Sequence, residues 1–156
     1  MLQVSQNGVI PIFSDSSPCS LTLKGKLEPR LKLIDSIDFL HDYVLPKLTI
    51  TPVQNKVALH ISCSAQQLGQ SEKFTRMLQA CCAEVVVPEG ISCCGFAGDK
   101  GFVLPELNAS ALSDLAPQVA GCSRGVSSSR TCEIGLSRQS GIEYQHIVYL
   151  LDLLSN

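Results

Sequence analysis

Short apolar runs at residues 56–62 and 84–88 flank an amphipathic stretch at residues 66–83, and this alternation limits the fold more than any other feature. Both runs are rich in β-branched residues and short enough to be buried strands, and the second closes at Pro88. One face of the intervening stretch carries, at helical spacing, Leu68, Phe74, Met77, Leu78 and Cys81. A strand, a helix and a strand in succession predict a parallel sheet covered by helices.

The rest of the chain continues the same alternation. A glycine-rich loop is expected at residues 89–102, followed by a helix that opens with Pro105 at its favoured first position. Another strand is expected over residues 125–129 and a closing helix over residues 144–154. The predicted fold class is therefore α/β, a parallel-sheet sandwich of strand-helix units.

One sequence pattern occurs twice. Residues 17–23 align with residues 130–136, and each run holds a cysteine, is preceded by serines and is followed by an amphipathic helix. Self-similarity of this kind indicates internal duplication. We therefore predict that the chain is the second half of a duplicated cysteine-rich module. Residues 1–50 would be the tail of a first repeat with a connecting helix, and residues 51–156 a complete repeat.

The composition excludes several classes of function. Hydrophobic residues make up 45% of the chain, charged residues 17%, and the formal net charge is -2, so no nucleic-acid partner is expected. No apolar run reaches the roughly 18 to 20 residues that span a bilayer. The N-terminus also lacks a basic region followed by an apolar one. We expect a cytoplasmic protein, or one peripheral to the inner membrane.

Eight cysteines in 156 residues carry the chemical information. In a cytoplasmic protein this content indicates metal or redox chemistry rather than a disulfide scaffold. Cys63 should follow a strand, Cys93 and Cys94 are adjacent and precede a glycine, and Cys132 lies in the second copy of the repeated pattern. Because ligands bind along the carboxyl edge of parallel sheets, these four thiols can converge there. Converging thiolates are the ligands of iron-sulfur clusters and of structural zinc.

The remaining cysteines and one histidine have plainer interpretations. Cys81 and Cys82 fall at the end of the amphipathic stretch, where core packing is the expected role. Cys122 is expected to be a buried loop thiol, with replacement of a missing ligand as the alternative. Cys19 would belong to the first repeat and be unpaired here. His60 either lines the site or bonds to a backbone carbonyl.

A cysteine, a long gap, Cys-Cys-Gly, a similar gap and a further cysteine resemble the pattern of the cysteine-rich (CCG) domain family. That family includes heterodisulfide reductases, glycolate oxidase iron-sulfur subunits and many flavin-linked dehydrogenases. The likeness covers nearly the whole chain and is to the C-terminal end of bacterial FAD-linked D-lactate or D-2-hydroxyglutarate dehydrogenases. It is carried by residues 60–64, 85–90, 93–102, 105–110 and 129–137.

The resemblance implies a 4Fe-4S cluster bound by Cys63, Cys93, Cys94 and Cys132, with zinc as the alternative. It implies electron transfer in a D-lactate-like 2-hydroxyacid dehydrogenase, from FAD in a missing N-terminal part to a quinone or cytochrome-type acceptor. The implied partners within the full-length protein are a flavin domain and a ferredoxin-like segment. Neither a flavin-binding nor a ferredoxin motif occurs in this chain, so the isolated chain is expected to be inactive.

One position departs from the family pattern, whose last motif is Cys-x-x-Cys. Gly135 stands where the second cysteine of that motif belongs. Some family members hold a noncubane cluster pair with five thiolates, whereas the remaining four suit an ordinary 4Fe-4S cubane or zinc. A heterodisulfide reductase-like catalytic domain and a structural zinc-binding module are therefore the two alternatives to electron transfer.

Overall fold

The computed structural model describes residues 1–155 and contains two β-sheets, both built of parallel strands only. The strands are β1 (Ile12–Ser14), β2 (Leu33–Asp35), β3 (Val53–Leu59), β4 (Cys82–Val86), β5 (Arg124–Ser127) and β6 (Tyr144–His146). β1 pairs with β2, and the larger sheet has the order β4, β3, β5, β6. The predicted α/β class with parallel sheets is confirmed.

Helices connect the strands and cover both faces of the larger sheet. They are α1 (Ser17–Leu23), α2 (Ser36–Phe39), α3 (Cys63–Gln67), α4 (Ser71–Cys81), α5 (Lys100–Val103), α6 (Pro105–Ala111), α7 (Leu115–Gln118), α8 (Arg130–Ser140) and α9 (Ile147–Leu154). A π-helical turn (Leu40–Val44) and a 3-10 turn (Leu45–Lys47) continue α2. Over residues 1–155, no helix combines the length and apolarity needed to cross a bilayer.

β3 forms the centre of the larger sheet, and its side chains alternate between two hydrophobic cores. Val57 and Leu59 belong to a core shared with α2, α4 and α9. Ala58 belongs to a second core, which includes α7, α8 and the loop that holds Cys94. Because both faces of the strand are covered, its carboxyl half is apolar without interruption.

The stretch predicted as one helix over residues 66–83 is divided in the structure. α3 ends at Gln67 and α4 begins at Ser71, with a turn between them. The turn brings the side-chain amide of Gln70 to the carboxylate of Asp35, where Nε2 donates a buried hydrogen bond of 3.0 Å. This long-range contact has no counterpart in the local hydrophobic period that predicted a single helix.

The helix predicted over residues 144–154 begins later in the structure, at Ile147, because Tyr144–His146 form β6. The ring of Tyr144 covers Gly125 on the neighbouring strand, where a β-carbon would lie 2.4 Å from the ring. Close packing against a glycine fixes this tyrosine in the sheet. A strand of three residues is too short to show the alternation by which strands are predicted.

The order β1, α1, β2, α2 is repeated by β5, α8, β6, α9. In each segment the two strands pair in parallel, and the last residue of the second strand caps the following helix. Asp35 and His146 each accept a hydrogen bond from the backbone N–H two residues later. Cys19 and Cys132 each occupy the third residue of the helix between the strands. The repeated sequence pattern thus coincides with a repeated order of elements.

Asp35 joins the N-terminal segment to the larger sheet domain. Its buried carboxylate, 4% exposed, accepts hydrogen bonds from Ser20 Oγ at 2.5 Å, Ile37 N at 3.1 Å and Gln70 Nε2 at 3.0 Å. Burying a carboxylate is costly unless donors replace its hydration. Donors from α1, from α2 and from the turn before α4 are therefore held by one group.

We expect Asp35→Ala to lower the free energy of unfolding by about 3 kcal/mol, because it removes a helix cap and leaves buried donors without an acceptor. Urea denaturation followed by circular dichroism measures the loss. Asp152→Ala, at an exposed position of α9, is the control and should change the value by less than about 0.5 kcal/mol. If Asp35→Ala lowered the free energy of unfolding no more than this control does, the Asp35 contacts would not be stabilising.

Candidate thiolate site

The four predicted ligand cysteines follow the carboxyl ends of three adjacent strands. Cys63 begins α3, which follows β3, and Cys132 lies in the first turn of α8, which follows β5. Cys93 and Cys94 lie in the loop that follows β4. Because β4, β3 and β5 are parallel neighbours, these three connections leave the sheet at the same edge.

Cys94 and Cys132 are brought into contact, and we call them the thiol pair. Their sulfur atoms lie 2.9 Å apart and share a hydrogen bond, and the residues are only 5% and 6% exposed. The hydrogen bond with Cys132 lowers the pKa of Cys94 in spite of its burial. The same bond, together with burial, raises the pKa of Cys132. Cys94 is therefore the member of the pair that ionises first.

Backbone N–H groups also stabilise negative charge in this loop. The nearby backbone N–H groups of Phe96 and Cys94 help to lower the pKa of Cys94, and the N–H of Gly95 lies 3.4 Å from Cys93 Sγ. Position 95 requires glycine, because φ is +71° and a β-carbon would lie 2.4 Å from the carbonyl oxygen of Leu107. Converging N–H groups of this kind form an anion-binding concavity.

Cys63 and Cys93 lie further out at the same edge. Both side chains are exposed, and Cys63 is near enough for its charge to raise the pKa of Cys132. In the part of the chain that the structure describes, no three histidine, cysteine, aspartate or glutamate side chains come close enough together to hold a metal ion. The structure thus brings two of the four predicted ligands into contact and leaves the other two exposed nearby.

Asn108 supports the site and was not predicted from the sequence. This buried residue, 2% exposed, donates through Nδ2 to the carbonyl oxygen of Cys94 at 2.6 Å. Its Oδ1 accepts a hydrogen bond of 3.2 Å from Gln139 Nε2 on α8. The backbone of Cys94 is therefore held between α6 and α8. The sequence gives one sign of this role: Asn108 lies four residues before the buried Leu112, a spacing that puts both residues on the same face of a helix.

The space beside Gly135 is closed. A β-carbon at this position would lie 2.5 Å from Asn108 Nδ2 and 2.8 Å from the ring of Phe96. Phe96 is itself fixed, because it is fully buried and packs edge to face on Phe102 with ring centroids 4.9 Å apart. The guanidinium of Arg138 lies 6.0 Å from the Phe96 centroid. Packed side chains therefore occupy the space that a thiol at position 135 would need.

The other cysteines have separate roles. Cys81 and Cys82 are buried in the core, as predicted, and burial raises the pKa of Cys81 to about 11. Cys122 is a buried loop thiol just before β5, close to Lys56, and so lies at the amino edge of the sheet. It is opposite the thiol pair and cannot replace a ligand there. Cys19 is exposed on α1.

Two thiols at this separation can bind one metal centre or oxidise to a disulfide. Thiolates with backbone N–H donors around them are the ligand type that iron-sulfur clusters and zinc prefer, so the donor set fits such a group. No protein-family model, curated protein or solved structure matches this chain.

We expect Gly135→Cys to destabilise the protein rather than to add a ligand. The new side chain would displace Asn108 or Phe96, and overpacking of this kind costs about 1–3 kcal/mol. Urea denaturation measures the loss. Thr22→Cys, at the aligned and exposed position of α1, is the matched control and should be near neutral. A Gly135→Cys protein of unchanged stability would mean that the space is open.

We expect mild oxidation of the metal-free chain to link Cys94 to Cys132, because their sulfurs already lie within 2.9 Å. Treatment with oxidised glutathione followed by non-reducing peptide mapping identifies the bond. The exposed Cys63 and Cys93 should instead form mixed disulfides with glutathione. In a Cys132→Ser control, Cys94 should remain a thiol. A dominant Cys93–Cys94 linkage would contradict the observed pairing.

Proposed function

We propose that this chain is an electron-transfer domain that carries a 4Fe-4S cluster on Cys63, Cys93, Cys94 and Cys132. The observation that supports the proposal best is the 2.9 Å contact of the thiol pair at the carboxyl edge of a parallel sheet. Two buried sulfurs in contact, one of them in a loop with backbone N–H groups nearby, suit a shared inorganic centre better than simple core packing. Cys63 and Cys93, exposed at the same edge, complete the ligand set on binding.

When bound, such a cluster supplies one-electron redox chemistry. The chain supplies ligation, position and burial. The hydrogen bond from Asn108 fixes the backbone of Cys94, and the N–H groups of Phe96 and Cys94 offset negative charge on sulfur. Burial of the thiol pair limits access of water, which together with sulfur hydrogen bonding sets the potential of such centres.

We propose further, from the family resemblance, that the chain serves a D-lactate-like 2-hydroxyacid dehydrogenase. Its partners would be an FAD domain and a ferredoxin-like segment, and electrons would continue to a quinone or cytochrome-type acceptor. The chain alone would then be inactive on a hydroxyacid. We also propose a cytoplasmic or peripheral inner-membrane location, where a high cysteine content serves metal or redox chemistry rather than a disulfide scaffold.

A structural zinc module is the second candidate function. The same four thiolates would form a tetrahedral site, and the closed space beside Gly135 favours a centre with four protein ligands. The same closure argues against a heterodisulfide reductase-like centre that uses a fifth thiolate at this position.

Anaerobic purification followed by iron, sulfide and zinc analysis and a visible spectrum tests the proposal. We expect about four iron and about four sulfide per chain, with a brown colour. Cys94→Ser should lose most of the iron and the colour, because it removes one sulfur of the thiol pair. Cys122→Ser, which changes a buried thiol at the opposite edge of the sheet, should retain both.

Stoichiometric zinc without colour would support the structural module and leave the redox role to other domains. Metal content that is unchanged in Cys94→Ser but lost in Cys122→Ser would contradict both candidates, because it would move the ligands to the amino edge of the sheet.

A further inference from the structure

Three aromatic side chains form an exposed apolar surface on the N-terminal segment, and we call this surface the aromatic face. Phe13 on β1 packs edge to face on Phe39 with ring centroids 5.3 Å apart, and Phe39 stacks on Tyr43 at 5.8 Å. The three residues are 53%, 38% and 52% exposed, and Pro11 and Ile34 lie beside them. Contiguous exposed apolar side chains of this kind indicate an interaction surface.

The repeated order of elements shows what covers the equivalent surface of the C-terminal segment. Counterparts of the aromatic face follow from the strand register and from the distance to the residue that caps the next helix. In the order Phe13, Phe39 and Tyr43, the counterparts are Val126, Leu150 and Leu154. They are only 1%, 1% and 8% exposed, because they belong to the core that β3 and α4 complete. The face that is exposed in one segment is therefore buried in the other beneath a strand and a helix.

The backbone of β1 has an open edge at the same place. Ile12 N–H donates to the carbonyl oxygen of Lys32 on the β2 side at 2.8 Å. Because successive residues of a strand bond to opposite sides, the N–H and C=O of Phe13 point away from β2. Val126, its counterpart, uses this side for β3 and accepts a hydrogen bond of 2.9 Å from His60 N–H. Among residues 1–155, β1 pairs with β2 alone, so the equivalent groups of Phe13 are open to a strand.

We propose that the aromatic face and the open edge of β1 bind a partner domain that presents a strand followed by an amphipathic helix. The strand would pair in parallel with β1 at Phe13, and the helix would cover Phe39 and Tyr43. Such a unit would give the N-terminal segment the surroundings that β3 and α4 give the C-terminal one. Parallel sheets are stable when both of their faces are covered, which a two-stranded sheet with an exposed face lacks.

A second copy of this chain does not fit as the occupant. Its own β3 and α4 are already buried in its core, through Val57 and Leu59 on the strand and Phe74 and Met77 on the helix. The surface uses none of the eight cysteines. The inference therefore goes beyond the proposed electron-transfer function and does not depend on it.

NMR titration of the ¹⁵N-labelled full chain with a synthetic peptide of residues 53–81, under reducing conditions, tests the proposal. This probe contains the strand and the helix that cover the equivalent surface. We expect saturable shifts at the backbone amides of residues 12–14 and 39–43, with a Kd on the order of 0.1 mM. A control peptide with Leu59→Asp and Met77→Asp, which charges the apolar face of both elements, should not bind.

Two pairs of variants of the full chain separate the edge from the face. Phe13→Pro removes the N–H at the open edge and should weaken peptide binding at least about tenfold, whereas Phe13→Val keeps that N–H and should weaken it less than about threefold. Tyr43→Lys places a charge on the aromatic face and should also weaken binding at least about tenfold. Val103→Lys makes an apolar-to-charged change at an exposed position of α5 and should leave binding unchanged. Amide dispersion checks that each variant is folded.

Three results would overturn the proposal. The first is an absence of saturable shifts at residues 12–14, or shifts confined to residues 124–127, where the peptide would have displaced the chain's own β3. The second is equal weakening of binding by Tyr43→Lys and Val103→Lys, or by Phe13→Pro and Phe13→Val. The third is sedimentation of the chain alone as a dimer that Phe13→Pro abolishes, because this would assign the open edge to a second copy.

Discussion

Parallel pairing of β3 with β4 on one side and β5 on the other is the interaction on which the structure depends. All three strands end at one edge, so the segments that leave them begin side by side. Cys63, Cys94 and Cys132 reach the same region in this way although they are far apart in the sequence. If β4 ran antiparallel to β3, the loop that follows β4 would lie at the opposite edge and the thiol pair could not form.

The two like segments meet through their equivalent helix caps. Asp35 and His146 both end a strand and cap the next helix, and Ser36 Oγ lies 3.4 Å from His146 Nε2. Burial lowers the pKa of His146, while the nearby Asp35 and Asp15 oppose the shift. The Asp35 cap is thus a carboxylate that accepts hydrogen bonds from α1, from α2 and from the turn before α4. The His146 cap is an imidazole whose neutral form is favoured by burial. The two segments thus share an order of elements and differ in the polar contacts of their helix caps.

Sequence periodicity predicted the elements whose formation depends on local packing. It was less informative about features that depend on contacts between residues far apart in the chain. β3 and the core role of Cys81 follow from short-range hydrophobic patterns, because burial on a strand or helix face repeats within a few residues. The turn before α4 depends on a contact between Gln70 and Asp35, which lie far apart in the chain. The carboxyl-edge position of the four cysteines followed from topology. That Cys94 pairs with Cys132 could not be predicted, because it depends on the conformation of a loop.

The side chains that hold Cys94 in place also limit how many thiols can reach this site. Asn108 donates to the carbonyl oxygen of Cys94 and also fills the space beside Gly135, so one side chain both positions Cys94 and excludes a side chain at position 135. Phe96 follows Cys94 by two residues and closes the remaining space from the other side. A thiol at position 135 would have to displace groups that hold Cys94 in place. The glycine, the asparagine and the phenylalanine therefore form one packed unit, which a side chain added at position 135 would disturb.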